Sequence, residues 1–394
     1  MPRPSASFST SGRANAAVLA ITVLALLAGS EIVLRLVYHP PIVGSVIRYD
    51  PVVGWSLVPD ASLVTDVTER GIHPRIDINH LGLRDRNIAL RKPSGRHRIL
   101  VVGDSVVFGS GLNAGERFSD LLASALADQA EVINAGVPGW GNDQELLYYE
   151  TFLRRLQPDV VVLTFTGNND VVNNALDGAL LEGGTKPRFE LAGDSLIVHP
   201  PAPPARIDAM TRIKRVLRRS RLLVFARRRL QRVAYRHEIH EEVVHQFHGF
   251  ESYRHLSHWS VYGTGGGDAI ESAWSVTEAI LNRFAADCRA DSAVFIVFAL
   301  PLKLEVDDAW RRQLIQQTEA DSTRIDMTLP YRRLAAFCAA HDIEFHYPID
   351  EFRAEARNQT LYFRQDSHPN VRANQIAAHW LESLPSLRRR VAAP

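Results

Sequence analysis

The run Ile99-Leu100-Val101-Val102 is apolar without interruption and stops at Gly103-Asp104-Ser105. A strand with one face in water alternates apolar and polar residues, whereas a strand buried on both faces reads as a continuous apolar run. The run therefore predicts an inner strand of a parallel sheet, with the polar break where the backbone leaves it. Further strands are expected at Val132-Ile133, Asp159 to Phe165, Ala293 to Leu300 and Ile343 to Tyr347. Helical spacing fills the intervals. Phe118, Leu121, Leu122, Ala125 and Leu126 mark one helix, and Leu146, Tyr149, Leu153 and Leu156 a second. Others are expected over Ala269 to Cys288, Ala309 to Gln317, Tyr331 to His341 and Asn370 to about Leu384. Strands separated by helices imply right-handed crossovers, and so an α/β fold with about five parallel strands covered on both faces.

In open sheets of this kind ligands bind beyond the carboxyl ends of the strands, which makes Ser105 a candidate nucleophile. Serine is also a preferred N-cap, so the same residue reads equally well as the cap of the next helix. With 394 residues, 46% of them hydrophobic, the chain is long enough for one large core. Its net charge of +1 gives no global field that would favour nucleic acid. Cys288 and Cys338 have neither metal-ligand spacing nor a nearby partner, and two buried free thiols are expected rather than a disulfide.

Ala14 to Ser30 carries no charge, and the apolar pattern resumes after Glu31. About 20 apolar residues span a bilayer as a helix, so Ala14 to about Val37 is expected to be a single membrane anchor. A cleaved signal peptide ending near Ala28-Gly29-Ser30 is the competing reading, and either one exports the rest of the chain. Arg3 and Arg13 precede the span and place the amino terminus in the cytoplasm, with the remainder periplasmic or at the cell surface. Residues 1–38 then form a cytoplasmic tip and anchor. Residues 39–97, rich in turn signals, form a short β-containing collar. Residues 98–388 form the main domain, interrupted by an insertion at 173–267.

The insertion opens with an expected hairpin, Phe189-Glu190-Leu191 and Leu196-Ile197-Val198, followed by the proline-rich Pro200 to Pro204. Arg206 to Arg236 then carries twelve Lys or Arg against one acid, Asp208, with apolar residues interspersed. Such a stretch suits either a solvated cap over the sheet or an amphipathic helix on an anionic membrane or other polyanion. His237, His240, His245, His248, His255 and His258 follow. Their order is not the four-residue spacing that places two zinc ligands on one helical face, and an exposed polar helix is the favoured reading.

Three polar breaks accompany Gly103-Asp104-Ser105-Val106. These are Asn134-Ala135-Gly136-Val137-Pro138-Gly139, Thr166-Gly167-Asn168-Asn169-Asp170 and Asp366-Ser367-His368-Pro369-Asn370. In this order they resemble the four blocks of the SGNH hydrolases, the GDSL-type esterases of three-layer, flavodoxin-like α/β/α fold. The resemblance implies Ser105 as nucleophile and His368 as base. It implies an oxyanion hole from the Ser105 and Gly139 backbone N–H groups and the Asn169 amide, and Asp366 as the acid that orients the histidine. Those residue types suit acyl transfer: the imidazole exchanges protons near neutrality, and the N–H donors stabilise a tetrahedral intermediate. Glycine at 139 is expected because the backbone approaches closely there. Asp104 and Asp170 are assigned to hydrogen bonding within the loops. No metal or organic cofactor is required.

The family commonly places its aspartate three residues before the histidine, a position held here by Gln365. The acid two residues before is similar instead to the Asp-x-His of SGNH-like enzymes that O-acetylate exopolysaccharides such as alginate. If Asp366 points elsewhere, a Ser105–His368 dyad remains. The expected activity is a serine esterase acting on an O-acyl ester in the cell envelope. Alternatives are an O-acyltransferase modifying an exported polysaccharide, and a catalytically silent envelope protein that binds anionic lipid or polymer.

Overall fold

The computed structural model describes residues 10–37, 46–65, 72–176, 185–193, 195–203, 220–223, 225–226, 247, 256–364 and 367–392. They fall in two compact units, one made of residues 1–43 and 206–237 and the other of residues 44–205 and 238–394.

In the first unit, helix α1 (Thr10–Val37) contains the 24-residue stretch Ala14–Val37, long and apolar enough to cross a membrane, as a signal sequence also would be. Its large side chains are exposed along its length, Leu24 and Leu26 at 65% each.

The second unit begins with two antiparallel pairs, β1 (Ile47–Asp50) with β2 (Gly54–Leu57) and β3 (Ser62–Val64) with β4 (Arg75–Asp77). The main sheet follows. Strand β5 (His97–Gly103) leads into the short helix α2 (Ser105–Phe108) and then α3 (Phe118–Ala125). Strand β6 (Ala130–Gly136) precedes α4 (Asn142–Thr151), and β7 (Val160–Phe165) precedes α5 (Gly167–Ala175). After the hairpin β8 (Arg188–Ala192) and β9 (Ser195–His199), strands β10 (Val294–Ala299) and β11 (Glu344–His346) complete the sheet.

The five sheet strands are parallel and ordered β11-β10-β7-β5-β6. Counted along the chain this is 2-1-3-4-5, the flavodoxin-like order, whose switch point lies between the first and third strands. Here those strands are β5 and β7, so the loops after Gly103 and Phe165 diverge around the crevice where such sheets bind ligands.

Alternate residues of each strand face opposite layers. Leu100, Val102, Val161 and Leu163 join one core with Leu146, Phe284 and Leu334, while Ile99, Val101, Val160 and Val162 join the other with Leu122, Ala377 and Leu381. Burial on both faces is what the uninterrupted apolar runs foretold. Cys288 and Cys338 are buried and free.

Candidate active site

Ser105 stands at the first position of α2, and Asp104 before it is the cap, its carboxylate accepting from Val106 N at 2.8 Å. The capping role open to Ser105 in the sequence thus belongs to its neighbour. Released from that task, the Ser105 hydroxyl lies 2.8 Å from Nε2 of His368, a residue 263 positions away. Both side chains are partly exposed, so the pair can be reached from solvent.

The loop carrying His368 is closed on itself. Phe363 N donates to the His368 carbonyl at 3.0 Å, and Asn370 N to the Leu361 carbonyl at 2.9 Å. Asn370 then caps the helix Val371–Ser383 by accepting from Arg372 N and Ala373 N. From outside the loop, the buried Lys303 donates to the Phe363 and Arg364 carbonyls at 2.9 and 2.8 Å. Asp366 and Gln365 lie outside the described residues.

Asn169 sits in the first turn of α5, and its Nδ2 donates to Asp104 Oδ2 at 2.9 Å. Its Oδ1 accepts from Asn173 Nδ2 at 3.0 Å. These two bonds assign the amide: flipping it would set oxygen against a carboxylate. One N–H of Asn169 is therefore held by Asp104, which leaves the second as a donor beside the Ser105 loop. Burial pushes the Asp104 carboxyl up, opposed by the Val106 N–H, the His368 charge and Asn169.

Gly139 lies on the loop after β6, where Val137 N donates to the Gly103 carbonyl at 3.0 Å. It has φ 79°, in the left-handed region that disfavours a side chain. A close backbone approach is found at Gly136, where an added Cβ would come within 2.2 Å of Phe108 N.

The collar braces both loops. Trp55 of β2, fully buried, donates Nε1 to the Pro138 carbonyl at 3.0 Å, and Trp140 Nε1 donates back to the Trp55 carbonyl at 3.0 Å. Arg84 donates to the carbonyls of Phe108, Gly109 and Leu112 at 2.6–2.7 Å. A cation there satisfies carbonyls at the end of α2 and complements its dipole.

A model of the GDSL-like lipase/acylhydrolase family matches residues 101–376. The chain belongs to this family. Among solved structures it is similar to TesA (14% identity, covering 73% of this chain and 99% of that one, TM-score 0.37). It is also similar to a catalytic mutant of an acetylxylan esterase from Geobacillus stearothermophilus (14%, 77% and 97%, TM-score 0.37). A third is a GDSL-like lipase from Bacteroides thetaiotaomicron (11%, 77% and 92%, TM-score 0.36). A comparison with curated protein sequences finds no match.

Several residues that support this GDSL-type site escaped sequence reasoning. His258, grouped in the sequence with an exposed polar helix, is buried in a single 3-10 turn, with Nδ1 3.0 Å from Asn168 Nδ2. Burial pushes it down to about 4, so it is neutral at pH 7 and accepts at Nδ1 from the neighbour of Asn169. The other five histidines of that group lie outside the described residues. Lys186, at the mouth of the hairpin, is fully buried against Asp143 and the Asn173 carbonyl. An isolated lysine or tryptophan in a turn-rich stretch has no periodicity to report its burial. Among the described residues no group of three or more His, Cys, Asp or Glu is placed to hold a metal ion.

Proposed function

We propose that the chain is a membrane-anchored serine esterase that removes an O-acyl group, acetyl being the favoured one, from a cell-envelope substrate. The observation that carries this reading is the 2.8 Å contact between Ser105 Oγ and His368 Nε2 at the switch point of the sheet. Ser105 attacks the ester carbonyl while His368 takes its proton. The tetrahedral oxyanion accepts from the Ser105 and Gly139 N–H groups and from the second N–H of Asn169. His368 returns the proton to the leaving alkoxide, and water, activated by the same imidazole, releases the acid. Asp366 orients the histidine ring. The chain crosses the membrane once through α1, with the GDSL-type unit on the extracytoplasmic side.

A second reading keeps these residues and replaces water by a sugar hydroxyl, making an O-acyltransferase of an exported polysaccharide; the Asp366-Ser367-His368 spacing favours it. Acetyl transfer to an oligosaccharide in excess over hydrolysis, read by mass spectrometry, would establish it over the esterase.

Ser105→Ala is expected to lower kcat for p-nitrophenyl acetate by roughly a millionfold. It should also abolish labelling by a fluorophosphonate probe. A purified, folded variant that keeps its activity would overturn the assignment. Asn169→Ala is expected to cost about 10²–10³ in kcat with little change in KM, as for loss of one oxyanion donor.

A further inference from the structure

Glu31 is the one acid in the apolar stretch Ala14–Val37. Seventeen residues of helix from Ala14 place it about 25 Å along a hydrocarbon layer roughly 30 Å thick, close to the far interface. Near the interface, with less water around it, an ionised side chain is stabilised by partners. Glu31 has four. Arg35 Nε donates to it at 2.8 Å, Ser220 Oγ at 2.8 Å, Arg221 N at 3.0 Å and Leu222 N at 2.9 Å.

The last three belong to the basic insertion, 189 to 191 residues further along the chain. Ser220 Oγ also accepts from Leu223 N at 3.2 Å. The first three N–H groups of the helical turn starting at 221 are thus all bonded to side chains, two of them to a carboxylate from another helix. A turn that begins in water can leave these donors to solvent, although side-chain caps are common there too. One that begins at membrane level must satisfy every donor from within the protein. The side chains of this turn agree. Leu222 and Phe225, three apart and so on one face, line a cavity of about 520 Å³ with Ala25, Leu26, Gly29 and Val33 of α1. Leu223 next to them is 46% exposed.

We propose that residues 220–223, 225 and 226 form a second membrane contact, latched to α1 by Glu31 and seated on anionic phospholipid. This rests on the reading of α1 as a membrane anchor. The partner is named by charge: Arg206 to Arg236 carries twelve Lys or Arg against one acid. Basic residues near an anionic leaflet are attracted to it, and a neutral leaflet offers none of that attraction. The apolar face of the turn lies along the acyl chains, and the groove between Leu222, Phe225 and α1 takes one chain of such a lipid. The insertion is thereby held at the membrane at its basic centre.

The test uses the full chain carrying Leu223→Cys labelled with an NBD fluorophore, the two native thiols being buried. The protein is reconstituted in vesicles of phosphatidylcholine alone or mixed with phosphatidylglycerol. In the mixed vesicles a lipid-borne nitroxide should quench the probe, and aqueous iodide should quench it several times less than in phosphatidylcholine alone. Glu31→Ala should return the probe to water while alkaline carbonate still leaves the chain in the membrane fraction. Ser220→Ala, which removes one of the four donors to Glu31, should give an intermediate shift. Strong iodide quenching of the native sequence in mixed vesicles overturns the proposal. So does an unchanged probe in Glu31→Ala. Equal protection in both vesicle types overturns the anionic partner. Extraction of the native chain by carbonate overturns the anchor itself, an outcome distinct from a retained chain with a water-exposed probe.

Discussion

Buried carboxylates occur in two settings, one joined to Gly167 through Tyr331 and one that includes Asp170, and their surroundings differ. Glu305 stands alone. Its Oε1 accepts from the Tyr262 and Tyr331 hydroxyls at 2.6 and 2.5 Å, and its Oε2 from the Tyr347 hydroxyl at 3.0 Å and Leu302 N at 2.8 Å. The Tyr331 hydroxyl in turn abuts Gly167, where an added Cβ would lie 2.5 Å from it. On the Ser105 side, Asp104, Asp143, Glu145 and Asp170 are all buried, and Lys186, bonded to Asp143, is the one buried lysine among them. Glu145 and Asp170 share the Asn142 amide at 2.8 and 3.2 Å, and each leaves one oxygen without a partner. Burial, joined by the charges of neighbouring acids, pushes both well above the ordinary carboxylate range. Neutral donors are enough to hold one buried carboxylate. Several in contact are settled by keeping a proton, because like charges in a low dielectric cannot all ionise.

The largest expected effect tests the lysine. Lys186→Met leaves Asp143 buried without its cation and should cost about 3–5 kcal/mol in chemical denaturation. No loss would mean that Asp143 also carries a proton, and the distinction between the two sets would blur. Next is Glu305→Leu, which strands three tyrosine hydroxyls and should cost at least about 2 kcal/mol, with Glu305→Gln recovering most of it.

The pH dependence sharpens the contrast. Burial raises Glu305 from 4.5 to about 6 against its four donors. A raised acid keeps its proton in the folded state where the unfolded chain has lost it, so stability falls as pH rises. For Glu305 this costs about 2 kcal/mol between its ordinary value and about pH 6, and then levels off. Glu145 and Asp170, raised well above their ordinary values, add to the decline. Glu145→Gln should therefore change stability at neutral pH by only about 1 kcal/mol while flattening the decline that begins at the ordinary carboxylate value. Glu305→Gln should flatten only the part between the ordinary carboxylate value and about pH 6. Identical profiles for the two variants would remove the distinction.

Much of the architecture is legible in the sequence alone. Ile99 to Val102 and Val160 to Phe165 announced strands buried on both faces, and the polar breaks after them marked the sheet edge that carries Ser105 and Asn169. Burial of a strand or helix face imposes a short repeat on the chain, and a repeat can be read locally. The cap at Asp104 was the subtler case. Asp and Ser are both good caps and stand side by side, and only the backbone shows which one precedes the helix.

The partnerships were not legible. Trp55 with Pro138, His258 with Asn168, Lys186 with Asp143 and Glu31 with Ser220 join residues 43 to 189 positions apart. Nothing in the composition around any of them marks the other. The chain's local pattern determined where strands, helices and an apolar span would form, since each must hide its own apolar face. Tertiary structure decided which polar groups meet, since a buried donor or carboxylate takes whatever partner the strand order brings within about 3 Å.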